Sequence, residues 1–258
     1  MSLGYWGSLL VLVGASGCTP SRLQPADATN TMDAATSIRA ATSIRAGYVP
    51  GKATGNGVDA VPNTDTDLGF VAIEHIDGGA GVGFRGAAFG NSWDLTEDGP
   101  PAQTSYSYLS LYPHFTVLAT TDLLRIPIRI GPEVRLHELD LGIGSSGQAS
   151  YRMFGVAAEI EPEWTFVNRD NFAASVYGRF HVGAGWGTIN GIVKDDTTYA
   201  TNFGGEVGFR LQASIVSLSF GLQGHETRFL GSDNGFGGRD PETEFDFVGV
   251  FISLGAVW

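Results

Sequence analysis

The residues best suited to chemistry in this chain are arginines, glutamates and histidines that recur at every second position of long segments. In 124-LRIPIRIGPEVRLHEL-139, apolar residues alternate with Arg125, Arg129, Glu133, Arg135 and His137. Alternate residues of a strand point to opposite faces, so this segment carries its charges on one side. Opposite charges on neighbouring strands can pair with one another or line a polar passage.

The same alternation predicts twelve inward-facing charges, six arginines and six glutamates. They are Glu74, Arg85, Arg125, Arg129, Glu133, Arg135, Glu159, Glu161, Glu163, Arg179, Glu206 and Arg210. Antiparallel pairing of segments 124–137 and 150–164 would bring Arg125 and Arg129 close to Glu163 and Glu159. The planar arginine fork suits buried carboxylates. We therefore expect an ion-paired, largely filled interior, with a narrow selective pore as the alternative.

Two histidine–carboxylate neighbourhoods raise the possibility of an enzyme. His137 lies beside Glu138 and Asp140, and His225 lies beside Glu226. Such a pair can act as a general base. No motif places a nucleophile near either pair, and the sequence has no cysteine–histidine cluster for zinc. The glycine-rich GGAGVGFRG at 78–86 spans a turn and a strand, and does not link a strand to a helix as in phosphate-binding loops. We expect no catalytic residues, no metal and no cofactor.

The elements that carry these residues are long amphipathic strands. Ten are predicted, near 37–49, 67–76, 80–90, 104–117, 124–137, 150–164, 171–187, 198–212, 213–226 and 243–258; without the first two there would be eight. Most are longer than the five or six residues usual in soluble proteins and reach the roughly 9–11 residues of a tilted bilayer-spanning strand. Short connectors alternate with longer acidic, glycine-rich ones.

Composition narrows the class of protein further. Only 16% of the 258 residues are charged, against about 25% in typical soluble domains. The net charge of −12 argues against nucleic acid as a partner. A soluble secreted β-sandwich remains the alternative at this point.

The N-terminal region predicts export. Residues 3–17 form a short apolar stretch, and 15-ASGC-18 resembles a bacterial lipobox, which makes Cys18 a candidate lipidation site. The alternative is an unmodified Cys18 thiol. We expect a signal peptide over 1–18, a flexible tether over 19–36 and one domain over 37–258. ATSIRA occurs twice, at 35–40 and 41–46, and the repeat lengthens or precedes the first strand.

With these features the chain resembles bacterial outer-membrane β-barrel proteins of the small-barrel class. The resemblance covers residues 37–258 and includes the closing FDFVGVFISLGAVW at 245–258. It implies an all-β fold, a closed antiparallel transmembrane barrel of about ten strands, within a range of eight to twelve. Both termini would be periplasmic, and Trp258 would be the assembly signal read by the barrel-assembly machinery.

The resemblance also implies partners and functions. The partners would be outer-membrane lipid and lipopolysaccharide, and the protein would be a monomer. Aromatic residues should gather at both membrane interfaces, with Phe115, Trp164, Phe172 and Trp258 at one and Phe154, Trp186 and Tyr199 at the other. The function we expect is structural or surface-exposed, with acidic loops that could bind divalent cations; a small porin is the alternative, followed by a hydrolase at the rim.

Overall fold

The computed structural model describes residues 41–56, 64–76, 81–95, 102–121, 123–140, 148–169, 171–190, 195–230 and 243–257, almost all of them in strands. The strand segments are β1 (Ala41–Asn56), β2 (Thr64–Ile76), β3 (Val82–Leu95), β4 (Ala102–Thr120), β5 (Leu124–Asp140), β6 (Gln148–Ile160), β7 (Glu163–Arg169), β8 (Phe172–Asn190), β9 (Asp195–Ala213), β10 (Val216–Phe229) and β11 (Thr243–Val257). The described residues include no helix with the length and apolar character needed to cross a bilayer.

These segments form one closed antiparallel barrel. Each strand pairs with its sequence neighbours, and β1 pairs with β11 from Ser43 opposite Val257 to Asn56 opposite Glu244. Segments β6 and β7 lie between the same two neighbours, β5 and β8, and are separated at Pro162, which has no N–H for the ladder. Counted as one strand, they make this a ten-stranded barrel, as predicted.

The outer face of the barrel is apolar and exposed. On β11, Val248, Val250, Ile252 and Leu254 point outward with 54–62% of their surface exposed, whereas the inward-facing Phe251 is 1% exposed. A β-sandwich would bury such an apolar face in its core, so the soluble alternative is wrong. Closure leaves no strand edge unpaired, as a sheet in hydrocarbon requires.

Exposed aromatic residues lie at two levels of the outer face. Phe154, Trp186 and Tyr199 are direct neighbours on β6, β8 and β9. Phe115, Trp164 and Phe172 lie toward the other end. Phe172 and Trp186 are fourteen positions apart on β8 (186 minus 172), or roughly 33 Å of height for a strand tilted by about 45°. This height matches an apolar band between two interfaces.

The two ends of the barrel differ. At the short-turn end, connections are as brief as Ser214–Ile215 between β9 and β10, where Ser214 has φ of 55°. The other is the loop end. Strands β8 and β9 reach three residues further toward the loop end than predicted, to Asn190 and from Asp195. Pairing continues there because inward-facing aromatic side chains, described below, still fill the lumen.

Candidate functional site

The inward-facing side chains divide the lumen into three regions along its axis. An aromatic cluster occupies the loop end, a charged layer lies in the middle, and a vestibule opens at the short-turn end. The charged layer consists of Arg45, Glu74, Arg85, Arg129, Glu133, Arg135, Glu159, Glu161, Glu163, Arg179, Glu206 and Arg210. The aromatic cluster consists of Phe89, Tyr108, His137, Tyr151, His225, Phe229, Phe245 and Phe247.

Glu159 is the centre of the charged layer. Its side chain has no exposed surface, and its carboxylate accepts hydrogen bonds from Arg85 and, at 2.8 Å, from Arg129. Arg129 also lies 2.9 Å from Glu74 and 2.9 Å from Glu161. Removal of either partner would leave a buried charge without compensation.

Arg179 joins opposite walls of the barrel. From β8 its guanidinium approaches Glu161 at 3.0 Å, Glu206 at 3.4 Å and Glu74 at 3.8 Å. Glu74 belongs to β2, on the far side of the lumen. Because Arg179 and Glu74 belong to opposite walls, these contacts cross the lumen and do not merely line its wall.

Further pairs extend the layer toward both ends. Toward the short-turn end, Arg210 lies 3.1 Å from Glu163. Toward the loop end, Glu133 is completely buried and accepts hydrogen bonds from Arg135 and from the amide of Asn202, both at 2.7 Å. These contacts give each of the buried glutamates at least one cationic partner.

The structure places all twelve residues of the predicted charge set at or near the lumen, but it brings only eleven of them into ion pairs. Arg125 lies opposite Glu163 and Arg129 opposite Glu159, which is the predicted register. Arg129 and Glu159 form an ion pair, whereas Arg125 lies apart at the mouth of the vestibule. The roles assigned to these residues remain predictions.

Sequence reasoning missed Arg45, which donates two hydrogen bonds to Glu206 at 2.8 Å and 2.7 Å. The alternation in the sequence does indicate an inward-facing Arg45, because its neighbours Ile44 and Ala46 are both outward-facing on β1. With Arg45 included, the charges that the described side chains place at the lumen are seven arginines and six glutamates.

Two of the predicted histidine–carboxylate pairs, His137 with Glu138 and His225 with Glu226, do not form among the described side chains. His137 is completely buried inside the lumen, while its neighbour Glu138 is exposed on the outer face. His225 and Glu226 are likewise consecutive residues of β10 and point to opposite faces. Consecutive residues of a strand point to opposite faces, so the side chains of these sequence neighbours lie apart.

Both histidines instead belong to the aromatic cluster. His137 stacks on Phe245 with ring centroids 5.0 Å apart and lies 4.8 Å from Tyr108. His225 also stacks on Tyr108, with ring centroids 5.2 Å apart. Tyr151 packs edge-on against Phe245 at 4.8 Å. The cluster narrows the lumen a second time, above the charged layer.

One group of carboxylates could offer oxygen ligands to a cation. Glu226, Glu244 and Asp246 lie on the outer face near the loop end, with ligand atoms within 4.8 Å of one another. Arg228 already contacts Glu226 at 2.7 Å and Glu244 at 3.2 Å. A cation there would have to compete with this guanidinium.

Two cavities flank the charged layer. The vestibule has a volume of about 360 Å³. A smaller cavity of about 110 Å³ lies between the layer and the aromatic cluster, where Ala72, Ala87 and Gly204 leave space. The described lumen residues therefore leave space both between the charged layer and the aromatic cluster and at the short-turn end.

Several predictions concern residues outside those that the structure describes. These are the signal peptide over 1–18 with Cys18, the tether over 19–36, the start of the barrel domain at 37–40, the tips of the acidic loops and Trp258.

Comparisons with known proteins identify no family for this chain. No family model matches the chain, and no curated protein matches it.

Solved structures similar to it include Ail, the attachment invasion locus protein of Yersinia pestis, at 10% identity and a TM-score of 0.28, covering 85% of this chain and 99% of Ail. The toluene transporter TbuX of Ralstonia pickettii is 10% identical with a TM-score of 0.29, over 85% and 88% of the two chains. The toluene transporter TodX of Pseudomonas putida is 8% identical with a TM-score of 0.30, over 84% and 89%.

These scores are too low to carry an argument. The assignment rests on the barrel's own closed strand pairing, its apolar outer face and its aromatic levels. By these features the chain is a small β-barrel protein of the outer-membrane class.

Proposed function

We propose that this chain is an integral protein of the bacterial outer membrane whose lumen is closed by ion pairs and which has a structural or surface role. The observation that carries the proposal is Arg179, which reaches from β8 to Glu74 on β2 across the lumen. An open pore would keep its charged residues on the wall and leave water along the axis.

The same proposal includes the orientation and partners expected from the sequence. The short-turn end faces the periplasm, the acidic loops face outward, and the apolar band contacts outer-membrane lipid and lipopolysaccharide. Trp258 is read by the barrel-assembly machinery, Cys18 is the candidate lipidation site, and the protein is a monomer. An even number of strands brings the start of β1 and the end of β11 to the same end of the barrel, the short-turn end. This supports an orientation in which both termini are periplasmic.

Single-channel conductance tests the closed lumen directly. The full chain is refolded in detergent, checked for heat-modifiable gel migration and inserted into a planar bilayer. We expect no steady current from the folded protein, since two levels of side chains block the passage. A steady current that rises with salt concentration would contradict the closed lumen.

A small porin or transport channel is the second candidate function. The two cavities on either side of the charged layer support it, because only one layer of ion pairs separates them. If the wild-type barrel conducts, the charged layer becomes a filter and its neutral variants should change ion selectivity.

A hydrolase at the rim is the third candidate, and we expect no such activity. It would require loss of activity in His137→Ala or His225→Ala. Both side chains face the lumen among aromatic rings, which disfavours a solvent-exposed catalytic centre.

A further inference from the structure

The vestibule at the short-turn end is a lumen cavity, bordered by described residues, that the charged layer does not fill. Its volume of about 360 Å³ is within the roughly 300–1,000 Å³ range of small-molecule sites. Its lining comes from the short-turn ends of several strands, including Ser43 of β1, Gln212 of β9 and Ser217 of β10. The cavity has a mixed polar and apolar lining and is accessible without movement of the charged layer.

The lining of the vestibule is rich in positive charge. Six arginines and three glutamates contribute to it: Arg45, Arg85, Arg125, Arg129, Arg179 and Arg210, with Glu74, Glu161 and Glu163. The other three glutamates of the charged layer are not part of this lining. The six arginines of the charged layer are balanced by its six glutamates, so the net positive charge of the vestibule comes from Arg125, which would attract anions.

Arg125 is the cation that remains available in this cavity. It is exposed at the mouth, and no carboxylate of the described residues forms an ion pair with it. Its cross-strand neighbour Glu163 is already held by Arg210 at 3.1 Å and by the hydroxyl of Ser175 at 2.6 Å. The guanidinium of Arg125 therefore keeps its N–H donors for a ligand.

Neutral donors line the same space. Ser217, Ser219, Asn168 and Gln212 border the cavity, and the Gln212 amide also donates to the backbone carbonyl of Ser214 at 3.2 Å. Hydroxyls and amides donate hydrogen bonds to anionic oxygens, and an arginine fork binds a carboxylate or phosphate through two parallel bonds. The residue types thus match an oxyanion with several oxygens.

We infer that the vestibule binds small soluble organic anions that carry carboxylate or phosphate groups, with Arg125 as the residue that holds them. This site borders the ion pairs of the charged layer but binds through Arg125, which is outside them, and it needs no conduction through the barrel. An anion of the size of citrate fits the volume, and it would approach from the short-turn end.

The test is calorimetric titration of citrate into the refolded full chain in an uncharged detergent at low ionic strength. We expect saturable binding that Arg125→Gln weakens at least tenfold, in line with the loss of a hydrogen bond to a charged group. Arg125→Lys keeps the charge without the fork and should retain part of the affinity.

The matched control is Arg152→Gln, which removes an exposed arginine from the outer face near the loop end. It changes the net charge equally and should leave citrate binding unaltered. Inorganic phosphate as a second probe shows whether the site accepts both kinds of oxyanion, and glycerol shows whether charge is required.

Three results would overturn the inference: no saturable binding of citrate or phosphate, equal weakening by Arg125→Gln and Arg152→Gln, or glycerol binding as tight as citrate. Each variant is first checked for heat-modifiable migration. Because Arg125 forms no ion pair with described residues, its loss should not prevent folding.

Discussion

At the scale of single residues, the main feature of this protein is the number of charges that it buries in a narrow space. Burial of a charge is costly unless partners and hydrogen bonds compensate for it. Here compensation is shared, since Arg129 contacts three glutamates and Glu161 contacts Arg129, Arg179 and Arg210. A substitution in the layer should therefore affect more than one pair.

Glu159→Gln should destabilise the barrel by about 3–5 kcal/mol, because Arg85 and Arg129 would lose their shared buried carboxylate. Denaturant unfolding in detergent micelles, followed by tryptophan fluorescence, measures this loss. Glu138→Gln is the matched control, since Glu138 is exposed on the outer face. If the two variants unfold at the same denaturant concentration, the layer does not stabilise the barrel.

Gly183→Ala should cost about 1–3 kcal/mol through overpacking. A Cβ at this position would lie 2.4 Å from the amide nitrogen of Asn202 and 2.8 Å from a carboxylate oxygen of Glu133, two groups that hydrogen-bond to each other. The same unfolding measurement applies. Gly69→Ala serves as control because a Cβ there meets nothing within 4 Å, and an equal loss in both variants would refute the packing argument.

At the scale of elements, each strand combines an apolar outer row with a polar or aromatic inner row. On β8, Val182 and Trp186 are outward while Arg179 and His181 face the lumen. The side chains of the outer row do not pack into the interior of the protein. They are stabilised by the apolar surroundings that they contact. The depth of an outward position along the strand should therefore decide its tolerance to charge.

Val182→Arg should destabilise the barrel in lipid by about 2–4 kcal/mol, the usual cost of a cation deep in the bilayer. Thr188→Arg, on the same face of β8 but beyond Trp186, should cost less than about 1 kcal/mol. Unfolding from lipid vesicles measures both. Equal costs at the two positions would mean that the aromatic level at Trp186 does not mark the interface.

At the scale of the whole molecule, closure depends on contacts between the two ends of the described chain. β1 pairs with β11 over positions about 200 residues apart in the sequence, such as Ser43 with Val257. Without this seam, β1 and β11 would each present an unpaired edge, which a sheet in hydrocarbon does not tolerate.

A variant that ends at residue 242 lacks β11 and should not form a heat-modifiable, protease-resistant barrel. The measurement is gel migration with and without heating after refolding, combined with limited trypsin digestion. A variant that begins at residue 41 keeps all the described strand pairings and is the control. A folded, heat-modifiable product from the shorter chain would show that closure by β11 is dispensable.

Much of this architecture could be predicted from the sequence because strand alternation is local. The apolar residues Ile126, Ile128 and Ile130 and the charges Arg125 and Arg129 belong to opposite faces in any strand, whatever it pairs with. The number of strands, the apolar outer face and the register of Arg129 with Glu159 follow from the same period of two and from short turns.

The tertiary structure alone decided which charges meet across the lumen. Arg45 and Glu206 are 161 positions apart, and Glu74 reaches Arg179 only because the closed barrel brings β2 opposite β8. It also decided that His137 stacks among aromatic rings and that Arg125 remains without an ion-pair partner among the described residues. Alternation determines on which face of the sheet a side chain lies. Which side chain it contacts across the lumen depends on closure of the whole barrel.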